Sequence, residues 1–219
     1  MRPRPKIISL LWQRTPADWR PRKSRDMTTH DSAPRESEAA DLTERFVAAM
    51  RKLAATITLV TTRDGDTRHG MAATAVASLS ADPPALLVCI KRTTSLHGPV
   101  SRVKRFCVNL LDQRHESLFR EFIARNGAAR FLVGDWTDEP HELPCLTDAA
   151  ATLFCSVEQQ MDYGTHTIFV GRVENVKIAP GRQPLLYQDG SVGEFKVPAA
   201  AILTDPDGNQ TAIHVTRSA

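Results

Sequence analysis

From Met71 to Leu79 every side chain is small or apolar, with Thr74 and Ser78 the only polar ones. Strand alternation places Met71, Ala73, Ala75, Ala77 and Leu79 on one face and Ala72, Thr74, Val76 and Ser78 on the other. A strand made mostly of Ala, Ser and Thr leaves its backbone N–H groups open to something flat. It suits equally a tightly packed sheet whose neighbour needs small residues.

The rest of the pattern predicts short elements. Asp41 can cap a helix with Glu44 in capping-box position, and Phe46, Met50 and Leu53 give it an apolar stripe. The β-branched run Ala55–Thr62 predicts a strand, and Arg63–Asp66 a hairpin turn into the returning strand. Asp82–Pro83–Pro84 interrupts any ladder, because neither proline donates a backbone hydrogen bond. Ala85–Ile90 is apolar on both faces and predicts a central, fully covered strand. A polar loop, Lys91–Ser95, precedes a short helix at Leu96–Lys104 and a strand at Arg105–Leu111. Gln113–Arg125 fits a helix with Leu118, Phe119 and Phe122 inward. Asn126–Pro144 reads as a long loop, with Trp136 as a lid over a site. Ala149–Gln160 and Thr165–Ile178 read as two long strands, the second with a bulge or close approach at Gly171. Pro184–Tyr187 reads as a final short strand.

Six or seven strands joined by short links, with two or three helices, predict a mainly β fold with flanking helices. The absence of regular strand–helix alternation argues against a doubly wound sheet and for a mostly antiparallel barrel.

Length and charge refine the picture. A chain of 219 residues with 42% hydrophobic content suits one domain plus tails. No run of about 18 apolar residues exists to cross a membrane. Residues 1–26 hold eight Lys or Arg and two acids; without their +6, the chain's +3 becomes −3 from Met27 onward. The folded part therefore offers no polycationic face for nucleic acid. Residues 1–40 are expected to be a disordered leader, residues 41–195 the domain and residues 196–219 a tail with turn chemistry at Asp205–Gly208. Residues 1–26 fail as a signal peptide and read as translation upstream of a true start at Met27, a transit-like peptide being the alternative. Cys89, Cys107, Cys145 and Cys155 form no C-x-x-C pair, and three of them sit in apolar strand-like runs, which predicts buried thiols in a reducing, cytoplasmic compartment. No metal-ligand spacing is present.

Candidate chemistry is sparse. Lys91–Ser95 offers two cations and three hydroxyls that suit a phosphate, or it is a solvated turn. Neither G-x-G-x-x-G nor a P-loop occurs. Asn109 interrupts an apolar strand and can serve a ligand or a neighbouring strand. His166 is a candidate proton donor or cofactor contact, or a strand-end histidine bonded to backbone.

Together, the segments FVAAMRKLAATITLVTT, HGMAATAVASLSADPPALLVCI, RFCVNLLDQRHESLFREF, YGTHTIFVGRVENV and PLLY resemble the short-chain flavin reductases of two-component flavin monooxygenases. They are similar to the reductase component of 4-hydroxyphenylacetate 3-monooxygenase, in order and spacing over Phe46–Tyr187. The resemblance implies an FMN-binding split β-barrel, a homodimer, that oxidises NADH or NADPH and passes reduced FMN or FAD to a partner monooxygenase. Under it, Gly70, Met71, Ala72, Thr74 and Ala75 line the flavin ring and ribityl chain. Lys91 and Ser95 approach the phosphate, Phe122 packs near the flavin, His166 lies near the nicotinamide, and Tyr187 is the aromatic of P-L-L-[YF]. Gln188–Ser191 departs from the family pattern, and the tail from Val197 does not align. Alternatives on the same barrel are an oxidoreductase that keeps FMN and reduces an organic substrate, or a non-catalytic flavin- or haem-binding protein.

Overall fold

The computed structural model describes residues 36–138, 141–195, 201–204 and 210–213. The expectations for residues 1–26 and for the turn at Asp205–Gly208 lie outside them. The first helix, α1 (Glu36–Met50), starts five residues before the predicted cap at Asp41. Leu42, Phe46 and Met50 of its apolar stripe are exposed.

The predicted strand at Ala55–Thr62 divides into β1 (Ala55–Thr56) and β2 (Thr58–Asp64). At the hairpin turn Gly65 takes a positive φ of 58°, as the Asp-Gly pair requires. The return strand β3 (Thr67–Ala73) pairs with β2 in the register Thr61↔Gly70. The run of small residues is not one strand. It breaks at Thr74–Ala75, and β4 (Val76–Ala81) pairs instead with β5 (Pro84–Lys91).

That change of partner shapes the molecule. After α2 (His97–Val103) come β6 (Arg105–Leu110), α3 (Glu116–Ala124), and the short strands β7 (Trp136–Thr137) and β8 (Cys145–Leu146). The long hairpin β9 (Ala151–Tyr163) and β10 (His166–Ile178) completes an antiparallel sheet in the order β3-β2-β6-β9-β10-β5-β4. β3 and β4 thus sit at opposite edges, yet only two residues separate them. The three Cα steps from Ala73 to Val76 reach about 11 Å at most, so the sheet must curl until its edges meet. Cys89 N donates to Ala75 O at 3.1 Å, where the crossing chain reaches β5. The result is a split β-barrel with its seam between β3 and β4.

Inside the barrel pack Val60, Val88, Ile90, Phe106, Val108 and Phe169. Gly171 makes the predicted close approach: a Cβ there would meet the Phe106 ring and lie 3.1 Å from Cys155 Cβ, and the β9–β10 register shifts beside it. A second core lies outside the sheet, where Phe119 and Phe122 of α3 meet Ile57, Leu59, Leu146 and Leu185. β5 is covered less than predicted. Leu86, Val88 and Ile90 are buried, while Leu87 and Cys89 on its outer face are half-exposed.

Asn109 serves the fold. Its Oδ1 accepts from Leu146 N at 2.9 Å and its Nδ2 donates to Leu59 O at 3.1 Å. The predicted long loop contains a 3-10 segment, Gly127–Leu132, besides β7 and β8. Trp136 is no lid; it meets Phe131 edge-to-face at 5.0 Å between centroids and lies tilted 6.0 Å from Phe122, and its indole N–H donates to Val133 O. The predicted last strand is followed by a partner. β11 (Leu185–Gln188) pairs with β1 and with β12 (Ser191–Glu194), and the tail adds a hairpin, β13 (Ala201–Thr204) with β14 (Gln210–Ile213). No helix among the described residues is long and apolar enough to cross a membrane.

Candidate flavin site

β3 is an edge strand, paired with β2 alone, so no strand covers its other edge among the described residues. A cavity of about 300 Å³ lies against it, at the low end of the range for small-molecule sites. Met71 to Thr74 form one wall, and Phe119, Phe122 and Ile123 of α3 form the facing wall. Ile57 and Tyr187 close one side, while Lys91 and Thr93 to Ser95 supply polar groups. Asn126 and Arg130, from the segment after α3, complete the lining.

Local sequence explains these walls. Phe119 and Phe122 sit one helical turn apart and bury against β2, which fixes α3 above the sheet. The small side chains of Ala72 and Ala73 then leave a gap between helix and strand that a larger residue would fill. Gly70 lies just outside the cavity and makes room for the wall. A Cβ there would stand 3.0 Å from Phe122 Cζ and 3.1 Å from Phe131 Cζ.

Seven of the ten residues singled out from sequence line this cavity: Met71, Ala72, Thr74, Lys91, Ser95, Phe122 and Tyr187. Three do not. Gly70 packs behind it, Ala75 is exposed where the chain crosses the seam, and His166 pairs with Lys91 on the outer face of β5 and β10. The His166 ring Nδ1 lies 2.9 Å from Thr165 Oγ1. Burial, and then the nearby Lys91 charge, lower its pKa from 6.5, which favours neutral imidazole at pH 7.

The polar end is less generous than the sequence suggests. Thr94 Oγ1 donates to Lys91 O at 2.8 Å, and His97 N–H at the start of α2 donates to Thr94 O at 3.2 Å. The hydroxyls of Thr93 and Ser95 make no hydrogen bond among the described residues, and Lys91 meets no carboxylate there.

Arg130, Asn126, Ile57, Phe119 and Ile123 join the lining without having been singled out. Ile123 follows from the helical stripe of α3, one turn beyond Phe119. Arg130 had no signal, because its segment carries neither strand nor α-helix periodicity.

No cluster of His, Cys, Asp or Glu able to hold a metal occurs among the described residues. Among the described residues the lining carries no carboxylate or imidazole for acid–base work. It offers an edge strand, aromatic walls and two cations without a carboxylate partner among the described residues. That donor set fits a planar ring bearing a phosphate, which is what a flavin mononucleotide presents.

Comparison with known proteins agrees. A family model described as "Flavin reductase like domain" matches residues 50–196. The chain belongs to the flavin reductase-like family. It is 37% identical over 149 residues to the reductase component of the FADH2-dependent resorcinol hydroxylase of a Rhizobium species, covering 67% of this chain and 83% of that one. It is 35% identical over 159 residues to the FMN reductase (NADH) RutF 2 of Rhizobium rhizogenes, covering 72% and 92%. The NADH:FAD oxidoreductase SgcE6 of Streptomyces globisporus, solved with NAD and FAD fragments, superposes with a TM-score of 0.66 at 26% identity, over 77% of this chain and 99% of that one. This flavin reductase is an oxidoreductase that moves reducing equivalents from a reduced nicotinamide to a flavin.

Proposed function

We propose that this flavin reductase uses NADH to reduce FMN or FAD held in the cavity between β3 and α3. It then releases the reduced flavin to a separate monooxygenase in the cytoplasm. The observation that carries this reading is the cavity itself, walled by Met71–Thr74 on an edge strand, faced by Phe122, and furnished with cations that have no carboxylate partner among the described residues.

When bound, the flavin supplies the hydride acceptor. The chain's residues orient and shield it. Ala72 and Thr74 let a ring approach the backbone of β3, and Phe122 and Tyr187 pack against its apolar part. Lys91 and Ser95 bind the phosphate, and His166 stands near the nicotinamide as a neutral hydrogen-bonding group. Hydride transfer needs no protein acid or base in its main step. It needs the two rings held about 3–3.5 Å apart, and alignment of that kind can supply much of the rate.

The working unit is a homodimer. Met161↔Ile168↔Cys89 and Val170↔Leu87↔Ala77 stand opposite one another across β9, β10, β5 and β4, so they share one outer face. Met161 is 59% exposed and its neighbour Tyr163 77%, and a second copy would cover this apolar band. Sedimentation velocity at micromolar concentration is expected to give a dimer; a monomer at all concentrations refutes it.

The functional test is purified protein with FMN or FAD and NADH, followed at the nicotinamide absorbance band. Multiple turnovers of free flavin are expected. Absence of oxidation with FMN, FAD and riboflavin would end the proposal, and one stoichiometric turnover of tightly held FMN would select the flavin-retaining alternative.

A further inference from the structure

Two cations line the flavin cavity without a carboxylate partner among the described residues, Lys91 and Arg130. They are anchored at different places. Lys91 ends β5, which meets the crossing chain at Ala75 through Cys89 N. Arg130 Nη1 donates to the carbonyl of Gly70, and its Nε donates to Arg125 O at 2.9 Å. Gly70 lies four to five residues before that crossing, roughly 13–16 Å along an extended strand. The anchor of Arg130 thus lies away from the seam at which β5 delivers Lys91. If the phosphate occupies the Lys91–Ser95 end, as the proposed function holds, Arg130 faces the other electron-rich end of the ligand.

The Arg130 guanidinium is held in place before any ligand arrives. Its Cζ lies 5.5 Å from the Phe122 ring centroid, within cation–π range, and the Gly70 and Arg125 carbonyls fix its plane. Nη2 makes no hydrogen bond among the described residues. Burial lowers its pKa from the usual 12.5, yet a guanidinium has reserve enough to stay charged at neutral pH.

The chemistry of the reaction says what such a charge does. Hydride transfer from NADH to oxidised flavin gives NAD+ and the flavin hydroquinone anion. The hydride's electron pair enters the ring, and the negative charge settles over N1 and the C2 carbonyl. We infer that Arg130 contacts the pyrimidine edge of the flavin and binds the reduced anion in preference to the neutral oxidised ring. Its anchoring to Gly70 also explains why that glycine, though outside the cavity, acts on the site. The inference deepens the proposed function and rests on it.

The test compares wild type with R130M, R130Q and R130K by equilibrium titration, using oxidised FMN, oxidised riboflavin and, under anaerobic conditions, chemically reduced FMN. R130Q keeps a donor for the Gly70 carbonyl and removes the charge, so it separates electrostatics from support of the wall; circular dichroism melts check folding. In R130M and R130Q the affinity for reduced FMN is expected to fall about tenfold more than that for oxidised FMN. That ratio lowers the midpoint potential of bound flavin by about 30 mV for a two-electron couple. R130K is expected to restore most of the preference, and oxidised riboflavin to respond as oxidised FMN does.

Equal losses for oxidised and reduced FMN, or a loss confined to the phosphate-bearing ligand, overturn the inference. So does flavin binding unchanged in R130M and R130Q, which leaves the proposed function standing. Wild type that binds no flavin overturns both.

Discussion

Gly70→Ala tests the packing that creates the cavity. The added Cβ would meet Phe122 Cζ at 3.0 Å, Phe131 Cζ at 3.1 Å and Thr61 Cγ2 at 3.2 Å. Ordinary contact begins near 3.4 Å, so each neighbour must yield by about 0.2–0.4 Å. None yields freely. Phe122 is fully buried, with Phe131 and Trp136 each 6.0 Å away between ring centroids. Overpacking of this kind costs about 1–3 kcal/mol. Alanine returns about 0.4–1 kcal/mol by restricting the unfolded chain. The net loss therefore lies between about 0 and 2.6 kcal/mol, which lowers Tm by up to about 10 °C in a domain of this size. The easiest escape for Phe122 is toward the cavity, so FMN affinity should fall several-fold along with Tm. Calorimetry and fluorescence titration on the same preparation read both quantities. An unchanged or raised Tm with unchanged affinity would refute the claim that Gly70 sets the position of the Phe122 wall.

Other perturbations separate barrel, site and charge. Gly171→Ala drives a methyl into the Phe106 ring inside the barrel and should cost about 3 kcal/mol in urea unfolding; a change below about 1 kcal/mol contradicts the packing described. Lys91→Met should weaken FMN binding about tenfold to a hundredfold while leaving riboflavin within about twofold, as loss of a charged hydrogen bond to phosphate requires. Equal loss for both ligands rules out the phosphate role. His166 should titrate below 6.5 by NMR, and Lys91→Met should move its midpoint upward. Because the unfolded chain then takes up a proton that folded His166 refuses, stability should fall as pH drops from 6.5 toward that lowered value; a midpoint at or above 6.5 contradicts the burial.

Much of the fold was legible because it rests on local patterns. The strand runs at Ala55–Thr62, Arg105–Leu111 and Thr165–Ile178, the Asp-Gly turn and the Phe119/Phe122 stripe each follow from periodicity of one segment. What escaped depends on distant partners. Met71–Leu79 alternates without interruption, and nothing in it announces that β3 pairs with β2 while β4 joins the far edge through β5. The stripe of α1 is amphipathic in sequence but exposed in the fold, since periodicity names a face without naming what covers it. At the site, small residues and an adjoining hydroxyl-rich loop marked β3 and Lys91–Ser95. Arg130 enters only because the 3-10 segment after α3 returns its side chain to the Gly70 carbonyl, sixty residues away in sequence. Ala75 lies beyond the cavity where the chain crosses the seam, and His166 lies one strand further on, on β10 beside Lys91.

The account depends most on where flavin binds. A crystal structure of the protein with FMN tests this directly. It should show the ring between Ala72–Thr74 and Phe122, the phosphate within hydrogen-bond distance of Lys91 and Ser95, and the pyrimidine edge toward Arg130. Density for FMN elsewhere, with Phe122 or Met71 filling the gap beside β3, would contradict it.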